Sequence, residues 1–89
     1  MNMTKHAQDR QQQRGVPPII IDLLQLHGSV EHVGKDTTTY YFDKAARRKV
    51  QAYAGRLWRS LEEFSDYYLV TGREGKIITV APRNKKIRR

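Results

Sequence analysis

The sequence contains no cysteine, so neither disulfide bonds nor thiolate zinc sites can stiffen the fold. It also lacks any run of the roughly 20 apolar residues that a membrane-spanning helix requires. The polar start MNMTKHAQDRQQQ has no apolar segment of the signal-peptide type. These absences predict a cytoplasmic protein without a membrane partner. Its 89 residues suit one domain with one modest core, and a homodimer remains an alternative.

Acidic residues are scarce as well. Nine Asp and Glu stand against seventeen Lys and Arg, which gives a formal net charge of +8 at pH 7. Such an excess attracts polyanions. Nucleic acid is the commonest partner of this kind, although small basic domains also bind acidic proteins.

Most signatures of enzyme classes are missing. The chain has no glycine-rich phosphate loop, no HExxH, no GxSxG and no carboxylate pair with metal-ligand spacing. We therefore expect no cofactor and no metal. Three histidines, His6, His27 and His32, are the only candidates for acid–base catalysis by imidazole.

The first part of the chain is predicted to form two short helices. Residues 4–14 are polar with high helix propensity, and Gly15-Val16-Pro17-Pro18 ends that helix because proline disfavours helical geometry in the residue before it. A second helix is predicted from Pro17 or Pro18 to Gly28, since a proline costs little at a helix start.

Four β-rich runs predict two hairpins. SVEHV and TTTYYF flank Gly34-Lys35-Asp36, while YYLVT and KIITVA flank Gly72-Arg73-Glu74-Gly75. Between the hairpins, Asp43 occupies an N-cap position before KAARRKVQAYAGRLWRSLEEF. In that segment the apolar residues recur at helical spacing. They are Ala46, Val50, Tyr53, Ala54, Leu57, Leu61 and Phe64.

The predicted fold class is therefore α+β. It comprises two short N-terminal helices, an antiparallel four-stranded sheet of two hairpins, and one long amphipathic helix over 44–64 between the hairpins. Residues 1–82 form the single domain, and residues 83–89 form a basic C-terminal tail.

Two groups of cations, together with Arg10 and Arg14 of the first predicted helix, are candidates for nucleic-acid binding. The long-helix group is Lys44, Arg47, Arg48, Lys49, Arg56 and Arg59, and the tail group is Arg83, Lys85, Lys86, Arg88 and Arg89. A charge run is often only a solvated face. Two groups of the same sign favour polyanion binding over that interpretation. The tyrosines and Trp58 could stack on unpaired bases, or they could be half-buried in the sheet and core.

The opening KHAQDRQQQRG places His6, Arg10 and Arg14 four residues apart on a predicted helix. A metal-independent ribonuclease needs a base for the 2′-hydroxyl and cations for the phosphorane charge. His6 could be that base, with Arg10 and Arg14 as the cations. In the structural alternative, Arg14 interacts with the helix dipole and His6 packs against a strand.

KHAQDRQQQRGV resembles the HAxxRxxxRGI start of a family of small bacterial domains of unknown function, which is similar in layout to the RelE and ParE toxin superfamily. KIITVAPRNKKIRR resembles the last strand and basic finish of that superfamily. The resemblance implies a compact sheet packed on helices, a basic concave surface, and either ribosome-dependent RNA cleavage or binding of a protein target. It carries over His6, Arg10, Arg14 and Arg83. The chain differs from the pattern in the long basic segment between the hairpins and in having no tyrosine after Arg83.

Three functions follow as hypotheses. The favoured one is a toxin-like nucleic-acid-binding protein whose partner is RNA rather than DNA. One alternative is a metal-independent RelE-like endoribonuclease. The other is a non-enzymatic interaction or inhibitor module that meets an acidic protein such as an antitoxin, with Trp58 as a candidate anchor.

Overall fold

The computed structural model of the protein describes residues 2–83, which form one antiparallel sheet with helices around it. The elements in chain order are α1 (Lys5–Arg14), α2 (Pro18–His27), β1 (Ser29–Val33), β2 (Thr37–Tyr41), α3 (Lys44–Ala54), α4 (Leu57–Leu61), β3 (Tyr67–Thr71) and β4 (Ile77–Pro82). Short 3₁₀ turns cover Glu62–Phe64 and Arg73–Gly75. The α+β class and the four-stranded antiparallel sheet are confirmed.

Each strand pairs with its neighbour in the chain, so the sheet order is β1-β2-β3-β4. The registers pair Ser29 with Tyr41, Tyr41 with Tyr68, and Tyr68 with Ala81. Side chains alternate between the two faces of a strand. Apart from the irregularity where Thr71 pairs with Ile77 and Ile78 lies outside the register, these registers therefore assign the strand residues to one face of the sheet or the other.

The core lies on one face of the sheet. Helix α2 buries four aliphatic side chains, Ile20, Ile21, Leu23 and Leu24. They belong to the same cluster as Leu69 of β3 and Ile77 and Val80 of β4. Burying a large aliphatic side chain contributes about 1.5–3 kcal/mol. Helix α2 is therefore the main apolar cover of the sheet.

The single long helix predicted over 44–64 is wrong. The segment is divided at Gly55, whose φ of 61° and ψ of −132° cannot continue an α-helix. Helix α3 ends at Ala54, and the chain turns before α4 begins at Leu57. The predicted layout, with one amphipathic helix between two hairpins, is therefore not matched.

The break at Gly55 changes which apolar residues reach the core. Ala46, Val50 and Leu61 are buried as the helical pattern predicts. Tyr53 and Leu57, which flank the break, are 67% and 46% exposed. Their place in the predicted apolar stripe is wrong. Leu57 follows the break, so it no longer continues the stripe of α3, whereas Tyr53 lies in the last turn of α3 and packs its ring on His27.

Within residues 2–83, no helix combines the length and the apolar character that crossing a membrane requires.

The break predicts a specific cost for substitution at Gly55. A Cβ at this position would meet no atom within 4 Å, so any effect comes from backbone conformation alone. We expect Gly55→Asn to lower the free energy of unfolding by about 1–3 kcal/mol, because its φ and ψ are accessible almost only to glycine.

Gly15 supplies the matched control for this substitution. A Cβ at Gly15 would also meet open space, but its φ of 61° and ψ of 33° lie in the left-handed helical region that asparagine tolerates. Gly15→Asn should cost less than Gly55→Asn in urea unfolding. Equal costs would contradict the assignment of strain to Gly55.

Asp43 caps α3 and should make stability depend on pH. Its Oδ1 accepts a hydrogen bond of 2.8 Å from the backbone N–H of Ala46. This bond, with help from the Ser29 hydroxyl, lowers the pKa of Asp43 below its ordinary value of 3.8. The contribution is therefore present above pH 3.8 and is lost as the pH falls through the lowered value.

We expect Asp43→Ala to lower the midpoint of urea unfolding at neutral pH, and Asp43→Asn to lower it less because asparagine also caps helices. The free energy of unfolding of Asp43→Asn should also decrease less than that of the unchanged protein when the pH is lowered. An unchanged pH profile in Asp43→Asn would show that the carboxylate contributes no pH dependence.

Candidate nucleic-acid interface

The outer side of α3 is cationic. Ala46 and Val50 turn inward to the core, and Lys44 and Arg48 lie on the opposite side of the same helix. All four cations of α3 have exposed side chains. They are Lys44, Arg47, Arg48 and Lys49. The helix therefore presents a basic surface away from the core.

Direct ion pairing within residues 2–83 does not neutralise this surface. The two ion pairs found there join Lys5 to Asp9, and Arg73 to Asp36. Of the α3 cations, Arg47 donates a hydrogen bond of 3.2 Å, and its acceptor is the uncharged Ser65 carbonyl oxygen. The positive charge of α3 thus remains available to a partner.

The sequence pattern predicts that Arg56 and Arg59 continue this surface along one helix. In the structure they do not. Arg56 precedes α4 and Arg59 lies within it, beyond the break at Gly55. Both are exposed. Arg59 is therefore a cation of a separate short helix, and Arg56 lies in the turn before it.

The opening helix has a structural role at the edge of the sheet. The guanidinium of Arg14 donates a hydrogen bond of 2.9 Å to the carbonyl oxygen of Val80 in the edge strand β4. At the other end of β4, Ile77 forms backbone hydrogen bonds with Asn2 and Thr4, each of 2.9 Å. An exposed strand edge invites pairing with other chains. Helix α1 and the residues before it cover this one.

The three residues of the opening motif do not have equivalent surroundings. Residues four apart on an α-helix are rotated by about 40°, so a row of three turns gradually around the axis. Arg14 reaches β4, whereas His6 and Arg10 are exposed. The exposure of His6 gives no support to the alternative in which it packs against a strand. A role for His6 as a base, and for Arg10 and Arg14 at phosphate, stays a prediction.

The positive charge of Arg14 acts on the hydroxyl group of Tyr67. Burial raises the pKa of its hydroxyl, Arg14 acts in the opposite direction, and Asp66 and Glu63 raise it further. Tyr67 also packs edge-on against Phe64, with ring centroids 5.2 Å apart. Its surroundings are those of a core-lining tyrosine.

The other two histidines lie on different elements. His27 lies at the end of α2, and the centroid of its ring is 4.7 Å from that of the Tyr53 ring. The Nε2 atom of His27 is buried and has no hydrogen-bond partner among the described residues. His32 in β1 is exposed and lies 3.3 Å from the Thr38 hydroxyl. No hydrogen bond recorded within residues 2–83 joins two of the three histidines.

Trp58 is 3% exposed and packs edge-on against Phe42, with ring centroids 5.5 Å apart. This position assigns Trp58 to the core, which is one of the two interpretations of the sequence. Its use as an exposed anchor for a partner is thereby excluded in this conformation.

The sheet face opposite the helices carries an aromatic pair that sequence reasoning does not locate. We call this the open sheet face; its two main rows are Ser29, Tyr41, Tyr68 and Ala81, then Glu31, Thr39, Val70 and Thr79. No residue of either row is buried. Tyr41 and Tyr68 are direct partners on the two central strands. The sequence shows two tyrosine pairs, in the segments YYF and YYL, but only the strand register shows that Tyr41 and Tyr68 are the two that meet.

Arg83 lies beside this pair. Its guanidinium carbon is 4.7 Å from the centroid of the Tyr41 ring, within the range of a cation–π contact. Its backbone N–H donates a hydrogen bond of 2.8 Å to the carbonyl oxygen of Asp66. The remaining cations predicted in the tail, Lys85, Lys86, Arg88 and Arg89, lie outside the described residues.

Comparison of the chain with protein-family models, curated proteins and solved structures gives no match. The resemblance to the RelE and ParE superfamily therefore stays a prediction. Residues 2–83 contain no closed pocket and no cluster of three side chains suited to holding a metal ion.

The two arginines of α1 allow a test of which one supports the fold. We expect Arg14→Ala to lower the free energy of unfolding by about 1–3 kcal/mol, because it removes a charge-assisted hydrogen bond to a strand carbonyl. Arg10→Ala on the same helix should change it by less than about 0.5 kcal/mol, since Arg10 is exposed. Urea unfolding of both variants measures the difference. Equal effects would mean that the bond to Val80 adds nothing.

Proposed function

We propose that this protein binds nucleic acid, RNA in preference to DNA, through the cations of α3 and α4 and those that follow β4. The observation that carries the proposal is the exposed basic surface of α3, whose charges form no ion pair within residues 2–83. Neighbouring like charges on a helix repel by a few tenths of a kcal/mol per pair. A polyanion relieves that repulsion.

The distribution of acidic residues supports the same proposal. From Lys44 to Leu61 the chain carries six cations and no acidic residue. Glu62 and Glu63 follow only where α4 ends. All nine acidic residues lie within residues 2–83, so residues 84–89 add four further positive charges without compensation. The charge excess is thus concentrated in two segments.

Binding of this kind depends on phosphates. Lysines and arginines on a convex helix surface contact the backbone of a nucleic acid and carry little sequence information. We therefore expect weak dependence on base sequence and strong dependence on salt. RNA is favoured because it commonly presents single-stranded segments, which adapt to a surface and expose their bases.

Two side chains on which the alternative functions depend already have roles inside the fold. Arg14, a proposed phosphate ligand of the ribonuclease hypothesis, binds the Val80 carbonyl. Trp58, the proposed anchor of the interaction hypothesis, is in the core. The burial of Trp58 favours nucleic acid over the interaction hypothesis, whereas the Arg14 contact counts equally against its use as a phosphate ligand in both nucleic-acid hypotheses.

The salt dependence of binding tests the proposal directly. Each phosphate contact to a single strand contributes about 0.7 to the slope of log affinity against log salt. The double variant Lys44→Ala, Arg48→Ala should therefore reduce the slope for labelled single-stranded RNA by about 1.4, measured by fluorescence anisotropy with EDTA present.

Lys35 and Lys76 provide a control with the same change of charge. They lie at the turns between strands, away from α3. The double variant Lys35→Ala, Lys76→Ala should retain most of the slope, because only the general field of the protein changes. An equal loss in both double variants would contradict a binding surface on α3.

The same samples distinguish the alternatives when they are scored for intact RNA. Cleavage in EDTA that disappears in His6→Ala would favour the ribonuclease. Failure to bind single-stranded RNA or duplex DNA at low salt would contradict the proposal and favour an acidic protein as the partner.

A further inference from the structure

The open sheet face carries little charge and has two aromatic side chains on its central strands. Apart from Glu31, its two main rows contain only hydroxyl, aromatic and small or aliphatic side chains. A sheet exposed on one face normally alternates apolar inside with polar outside. Here Val70 and the two paired tyrosines occupy the outer positions of the central strands.

The aromatic pair has a spacing that suits consecutive bases. Tyr41 and Tyr68 are direct cross-strand partners, which places their Cβ atoms about 4.5–5.5 Å apart. Both side chains are partly exposed. Two rings side by side at this distance can each receive one of two neighbouring unpaired bases, since every base has a face that stacks on an aromatic ring.

Cations gather at the same end of the sheet. Arg83 lies over the Tyr41 ring, and Arg47 is hydrogen-bonded to the Ser65 carbonyl just before β3. Helix α3 begins with Lys44, three residues after Tyr41. Carboxylates also border this region. Glu31 lies in the next row on β1, and Asp43 is hydrogen-bonded to the Ser29 hydroxyl of the same strand. Asp66, whose carbonyl oxygen accepts the Arg83 backbone N–H, directly precedes β3. Arg83, Arg47 and Lys44 thus place three cations at this end of the sheet, beside the carboxylates of Asp43 and Asp66.

We propose that the open sheet face binds single-stranded RNA by stacking unpaired bases on Tyr41 and Tyr68, with Arg83 moving from the Tyr41 ring to the adjacent phosphate. The inference deepens the proposed function and rests on it, because α3 supplies the general attraction and the tyrosine pair supplies a preference for unpaired bases. The positive charge of the protein favours RNA, rather than a second copy of the chain, as the partner of this face. A second copy of the chain would bring a like charge of +8 to the same face.

The first test needs no variant. Fluorescence anisotropy compares a labelled oligouridylate with a ribose-phosphate oligomer of the same length that lacks bases, at one moderate salt concentration. The two probes carry equal charge, so α3 binds both equally. Stacking on the two tyrosines predicts tighter binding of the oligouridylate by on the order of 10-fold or more.

Three substitutions then locate the preference. Tyr41→Ala and Tyr68→Ala should each reduce the ratio of the two affinities, while Tyr41→Phe should retain it because the ring remains. Tyr53→Ala is the matched control, since Tyr53 is an exposed tyrosine on α3 rather than on the sheet. Thermal unfolding confirms that each variant is folded before it is compared.

The outcomes separate this inference from the proposed function. Equal, salt-dependent binding of both oligomers overturns the stacking inference and leaves phosphate binding by α3 intact. A ratio that falls as much in Tyr53→Ala as in Tyr41→Ala also overturns it, because the bases then stack elsewhere. Absence of binding to either oligomer overturns both proposals.

Discussion

One-sided burial is the constraint on which the rest of this structure depends. The buried side chains of α2 and α3 belong to the same cluster as the inward residues of β3 and β4, and all lie on one face of the sheet. Among the described residues, the two main rows of the other face contain no buried side chain. The arrangement leaves the outer side of α3 for charge and the other face of the sheet for polar and aromatic groups. Both proposed binding surfaces are consequences of where the core lies.

Local sequence signals predict most of the elements, because their causes are local. Proline at a helix start, glycine in turns and an aspartate N-cap act through nearby backbone atoms. The break at Gly55 is different. An isolated glycine is tolerated inside many helices, and the apolar spacing continues across it, so the pattern alone favours one helix. The break is compatible with Trp58 packing against Phe42, which is a tertiary contact.

The sequence predicts the positive charge of the candidate site but not which residues come together to form it. Composition identifies excess positive charge and the long basic segment, and both are present on α3. Composition does not show that Arg14 is bound to Val80, because that contact joins segments remote in the chain. Nor does it show which tyrosines meet. A shift of one residue in strand register would move Tyr41 to the opposite face, so the pair becomes visible only once the register is known.

The covering of β4 by α1 also has a kinetic consequence. Arg14 and Val80 are 66 residues apart, and the strand that α1 needs is the last one in the described fold. During synthesis, α1 therefore emerges long before its partner exists and must wait while α2, α3 and the first three strands are made. Closing so large a loop is slow compared with forming local hairpins. We therefore expect α1 to dock late in folding, with the β4 edge open to pairing with other chains until it does.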